Sequence, residues 1–307
     1  MKWTENDMPS LEGQVWVVTG ANSGLGLETT RALAAKGATV VMGCRDPKRA
    51  EVAEAEVKKT VPAARLVRHA LDLSSLQSIA SFVTGLLASH PVLDGLINNA
   101  GVMAVPFKKT ADGFELQFGT NHLGHFALSM KLLPLLEQAR APRLVTISSL
   151  MHKNGKLDFD DLMGERKYSQ WGAYSNSKLA NLVFTLELAR KLAAAKKKTI
   201  AAAAHPGYAA TGLQLASAKQ NESKLTEWVM NLGNSVLAQT SAMGALPTLY
   251  AATAPDVKSG EYFGPDGFMA MKGHPARNEP IARAKDLSVA AELWARSEQL
   301  TGTSFPG

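Results

Sequence analysis

Apolar and polar positions alternate between two periods along most of this chain. Val15-Trp-Val-Val18 is an unbroken apolar run followed by a glycine turn, the pattern of a strand buried on both faces. Leu27 to Lys36 carries its apolar residues at helical spacing and stops at Gly37. Thr39-Val-Val-Met-Gly43 repeats the strand pattern, and Pro47 to Lys59 reads as a charged helix opened by proline. Arg65 to Leu71 predicts a third strand. Ser74 to Ala88 predicts a third helix capped by Ser74, and Leu93 to Ile97 a fourth strand. The rhythm continues with a long helix over Phe114 to Gln138 and a strand over Arg143 to Ile147. An Ala- and Leu-rich helix over Ala173 to Ala195 and a strand over Thr199 to Ala204 follow. This order predicts an α/β fold, a doubly wound parallel sheet with helices on both faces. No repeat or linker divides it, so residues 1–307 are expected to form a single domain.

Two stretches break the rhythm, His152 to Trp171 and Tyr208 to Val236. Both follow strands, so they are expected at the carboxyl edge of the sheet, where such folds bind ligands. Leu215, Leu225, Trp228, Val229 and Met230 in the second could form an apolar lid, which favours a lipophilic substrate; the same stripe could also be core.

Composition narrows the class. Apolar residues make up 46% of the chain, enough for a large core, and the net charge of +6 is scattered apart from Lys196-Lys197-Lys198. That run reads as a solvated helix end, which argues against a nucleic-acid partner. Cys44 is the one cysteine, so neither an internal disulfide nor a cysteine-built zinc site is possible. With no apolar leader and no membrane-length segment, the expectation is a cytoplasmic protein with no membrane span.

The chemistry concentrates in a few motifs. Gly20-Ala-Asn22-Ser23-Gly24-Leu25-Gly26 lies between the first strand and the first helix. Glycines there let backbone N–H groups approach a dinucleotide pyrophosphate at a positive helix end. The expected fold is therefore a Rossmann domain. Arg45, after the second strand, can pair with a 2′-phosphate and favours NADP, although Asp46 beside it would favour NAD after a small register shift. Asp72, followed by Leu73, could accept from an adenine amino group or serve as a helix cap. Asn99, Ala100 and Gly101 follow the fourth strand, where small residues pass close to adenosine and asparagine can pin the neighbouring strand.

Tyr174 and Lys178 stand four residues apart on one helical face. A free phenol has a pKa of about 10, and an ammonium beside it is expected to lower that value. Lys178 can also donate to the cofactor ribose. Ser148-Ser149 ends the fifth strand, where a hydroxyl can stabilise a substrate oxygen. Asn121 sits inside the long helix before it, unfavourable there by propensity, and could hold a water leading from Lys178 to solvent. His122 and His125 lack carboxylate partners, so no metal site is expected. Gly-x-Ser-x-Gly is absent around Ser149, against a hydrolase.

Together these motifs resemble the classical short-chain dehydrogenases/reductases from about Leu11 to Gly264. The resemblance implies a tetrad of Asn121, Ser149, Tyr174 and Lys178, and it selects Ser149 over Ser148. It also implies that Pro206-Gly207 abuts the nicotinamide and that Thr211 reaches its carboxamide or a phosphate. Within the family, Cys44-Arg45-Asp46, Ser-Ser-Leu-Met-His152 and Tyr-Ser-Asn-Ser-Lys-Leu-Ala-Asn181 look most like the retinol dehydrogenase-like branch. That branch also holds the WW-domain oxidoreductases and protochlorophyllide reductases. The expected activity is hydride transfer between NADPH and a carbonyl/alcohol pair. The alternatives are a specialised retinoid or tetrapyrrole reductase, and a non-catalytic NADP-sensing protein. The long helices commonly form a homodimer interface in this family.

Overall fold

A computed structural model describes residues 2–208 and 239–306. Thr211 and the expected lid lie outside the described residues. Eight strands form one sheet in the order β3-β2-β1-β4-β5-β6-β7-β8. They are β1 Val15–Thr19, β2 Thr39–Cys44, β3 Arg65–Ala70, β4 Gly95–Asn98, β5 Arg143–Ile147, β6 Ile200–Ala204, β7 Tyr262–Pro265 and β8 Pro275–Arg277. Neighbours pair in parallel as far as β7, and β8 returns antiparallel, with Phe263 opposite Arg277.

Adjacent residues show why the strands read as continuous apolar runs. Val17 and Val41 pack into one hydrophobic cluster with Ile79, Phe82 and Phe126, while Val18 and Val40 pack into another with Leu33 and Leu249. Side chains alternate across a strand, so both faces of the sheet are covered. The helices are α1 Gly24–Ala35, α2 Pro47–Thr60, α3 Leu76–Ser89, α4 Leu116–Phe118, α5 Gly124–Leu136, α6 Gln170–Ala194, α7 Ser241–Thr253 and α8 Leu287–Thr301; α4 and α8 pack on α6, and the others on the sheet.

Two departures from the expected helices have local causes. α3 is capped by Ser75, whose side chain accepts from the Ser78 N–H, and not by Ser74. The Asp72 carboxylate takes both the N–H and the hydroxyl of Ser74 (2.9 and 2.6 Å), so the helix starts later. The long helix expected over Phe114 to Gln138 is split. Between α4 and α5, Gly119–Leu123 form a wider π turn, a distortion frequent at functional sites. Strands β7 and β8 were not anticipated.

Candidate active site

β1 sits where the strand order reverses, flanked by β2 and β4. The crevice at this switch point is where doubly wound sheets take ligands. The chain leaves β1 through Gly20 (φ +65°) and enters α1 at Gly24. A Cβ at Gly26 would lie 2.2 Å from the Gly20 carbonyl oxygen and 2.5 Å from Asn99 Nδ2. The turn therefore closes only with glycine there. Asn22 and Leu25 are half-buried and Ser23 is exposed, so the turn lies open at the edge of the sheet. Replacing Gly26 by Ala should cost about 1–3 kcal/mol from overpacking and weaken dinucleotide binding. Urea unfolding with a cofactor titration would check both, and a variant unchanged in each would contradict this reading of the turn.

The neighbouring strand end is tied to this turn. Asn99 Nδ2 donates to the Thr19 carbonyl (2.8 Å), as the sequence suggested. Thr19 Oγ1 accepts the N–H groups of Asn99 and Ala100 at 2.9 Å each. Gly101 packs against Asn121 and Lys178. A Cβ there would sit 3.0 Å from Asn121 Oδ1 and 3.7 Å from Lys178 Nζ. Leu73 is buried, and its carbonyl oxygen would be 2.3 Å from a Cβ at Gly124. A Cβ at Gly207 (φ +66°) would lie 2.2 Å from the Met271 carbonyl oxygen. That contact brings the loop after β7 against Pro206-Gly207.

Arg45 and Asp46 part company after β2. Asp46 Oδ1 accepts from the Lys48 and Arg49 N–H groups (2.9 and 3.1 Å) and caps α2. Arg45 is exposed. Asp72 is likewise engaged locally, through Oδ1 and Ser74.

At the carboxyl edge of β5, Ser149, Tyr174 and Lys178 come together. Tyr174 is 8% exposed and Lys178 4%. Lys178 Nζ donates to the Ile147 carbonyl (3.1 Å) and lies 5.8 Å from the Tyr174 ring centroid. Burial pushes the Tyr174 phenol up to about 12, opposed by a hydrogen bond with Ser149. The lowering expected from the ammonium does not appear: burial raises the phenol, and only the Ser149 hydrogen bond opposes it. Burial also brings Lys178 down to about 8.

The two serines differ in their commitments. Ser148 is 2% exposed and its hydroxyl donates to the Lys178 carbonyl (2.8 Å). Ser149 is half-buried; its Oγ accepts from the Met151 N–H (3.2 Å), and its hydroxyl meets the Tyr174 phenol.

Asn121 occupies the π turn, with its side chain fully engaged. Oδ1 accepts from Val102 N–H (2.8 Å), and Nδ2 donates to Val102 O and Ser177 Oγ (2.9 Å each). His125, which offers no metal-binding pattern in the sequence, joins the two halves of the site. Its Nδ1 donates to the Asn121 carbonyl and its Nε2 accepts from Thr19 Oγ1, both at 2.9 Å. Burial holds this imidazole neutral, with a pKa of about 3, which fixes that tautomer. Its only sequence signal is its place four residues after Asn121. Among the described residues, no group of three His, Cys, Asp or Glu side chains could hold a metal ion. No helix among them is long and apolar enough to cross a membrane.

The sequence profile of the short chain dehydrogenases matches residues 14–223. The chain belongs to that family. Retinol dehydrogenase 11 of Homo sapiens is 42% identical over 294 residues, spanning 95% of this chain and 87% of that protein. Retinol dehydrogenase 14 of Mus musculus is 40% identical over 304 residues, with the same shares. Among solved structures, an uncharacterised protein from Mycobacterium Paratuberculosis superposes with a TM-score of 0.82 at 43% identity, covering 100% of both chains. A short chain dehydrogenase from Shigella flexneri 2a str. 301, complexed with NADP, shares the fold. Its TM-score is 0.64 at 21% identity, over 83% of this chain and 98% of that one. This short-chain dehydrogenase is therefore an oxidoreductase of the retinol dehydrogenase-like kind, in a fold that binds a nicotinamide cofactor.

Proposed function

We propose that this short-chain dehydrogenase is an NADP(H)-dependent reductase of lipophilic carbonyl compounds, with Tyr174 as its acid/base. One observation carries the proposal: Ser149, Tyr174 and Lys178 converge at the carboxyl edge of β5, beside the switch point that begins at Gly20. A bound reduced nicotinamide would supply hydride to the carbonyl carbon. Burial keeps Tyr174 protonated at neutral pH, so it enters reduction as the acid and gives its proton to the carbonyl oxygen. The Ser149 hydroxyl donates to that oxygen as negative charge develops. Lys178 would hold the ribose. Asn121 acts at one remove, by holding the Val102 backbone and Ser177 beside Lys178.

The Gly20–Gly26 turn, Asp72-Leu73, Asn99–Gly101 and Pro206-Gly207 line the rest of the dinucleotide path, and Thr211 completes it by analogy with the family. Preference for NADP rests on Arg45. With Asp46 engaged in capping α2, the exposed guanidinium is the group left to meet a 2′-phosphate. A charge-assisted contact contributes about 1.5–3 kcal/mol, so Arg45→Ala should weaken NADPH by roughly 10- to 100-fold and leave NADH nearly unaffected. Titration of reduced-cofactor fluorescence tests this. Equal losses for both cofactors would move the 2′-phosphate contact elsewhere.

Retinoid alcohols and aldehydes are the second substrate reading, favoured by the names of the relatives.

A further inference from the structure

Trp171 is 44% exposed, although burial of so large an apolar ring would be favourable. It is the second residue of α6, three before Tyr174, and so shares its helical face. The indole meets the Tyr174 ring edge-on, with centroids 6.2 Å apart and planes at 84°.

The backbone around this indole is fixed from several sides. Gln117, itself fully buried, donates through Nε2 to the Gln170 carbonyl (2.9 Å) and to Tyr168 Oη (3.0 Å). Tyr168 in turn donates to the Val105 carbonyl (2.8 Å), and Phe107 packs edge-on against its ring. Ser169 caps the helix by accepting from Gly172 N–H. Trp171 is thus a partly bare aromatic surface on a rigid turn, so stacking a ligand on it costs little conformational entropy.

We propose that Trp171 determines substrate class by stacking on the ring of an aryl carbonyl compound, one whose aromatic group is joined directly to the reacting carbonyl. This rests on the assignment of Tyr174 as the acid/base. The short distance between the indole and the phenol places such a ring on Trp171 while its carbonyl oxygen meets Tyr174 and Ser149. A saturated ring of similar size fills the same space without offset or edge-on aromatic attraction.

The test compares benzaldehyde with cyclohexanecarbaldehyde as substrates for the wild type and for Trp171→Leu and Trp171→Phe, with NADPH. In the Leu variant the benzaldehyde-to-cyclohexanecarbaldehyde ratio of kcat/KM should fall roughly three- to tenfold. The Phe variant should recover most of it. Equal losses on both aldehydes would overturn the proposal and make Trp171 a support for Tyr174 alone. Turnover of neither aldehyde by the wild type would overturn the reductase reading and this inference with it.

Discussion

Replacing Tyr174 by Phe should lower kcat for carbonyl reduction by about 10²- to 10⁴-fold, the usual range for a lost general acid. The change removes one oxygen from a side chain that is already 8% exposed. The ring, its contact with Trp171 and the fold should therefore persist. Cofactor affinity should stay within a fewfold of the wild type, since the turn at Gly20–Gly26 and Lys178 are untouched. Alcohol oxidation adds a pH signature. It needs the phenolate, and burial places this phenol at about 12, so the oxidation rate of the wild type should rise with pH through the neutral range. A Phe variant that keeps the wild-type rate would remove Tyr174 from the chemistry.

Ser149→Ala should be the next most damaging change, with kcat falling roughly 10²- to 10³-fold, as when a donor to a developing oxyanion is lost. Ser148→Ala provides the contrast. Its hydroxyl is spent on the Lys178 carbonyl, so its loss should appear mainly as a stability change of about 0.5–1.5 kcal/mol. Steady-state kinetics and urea unfolding on both variants separate the two roles. If Ser148→Ala suffers the larger kinetic loss, the assignments are reversed.

The sheet was legible because its central strands are buried on both faces. Runs such as Val15 to Val18 leave few readings besides a covered parallel strand. β7 and β8 were hidden for opposite reasons. Tyr262–Pro265 is four residues long and ends in Gly-Pro, and Pro275–Arg277 is a partly exposed edge. The π turn at Gly119–Leu123 changes helical spacing by a single residue, too little to register in a hydrophobic pattern. Motif residues stood out because chemistry restricts their types: glycine at position 26 where no Cβ fits, and a phenol and an ammonium on one face. His125 did not, because its bond to Thr19 spans 106 positions of sequence. The balance of forces on Tyr174 was also beyond the sequence. Spacing put Lys178 nearby, but only the packed structure shows that burial raises the phenol and that Ser149, not Lys178, opposes it.

The most direct test of the central claim is a single-turnover experiment. Protein saturated with NADPH is mixed with an aryl aldehyde, and the absorbance of the reduced nicotinamide is followed for the wild type and the Tyr174→Phe variant. The account predicts that both bind NADPH, and that the aldehyde discharges the signal quickly only in the wild type. Equal decay in the two proteins, or binding with no decay in either, would contradict it.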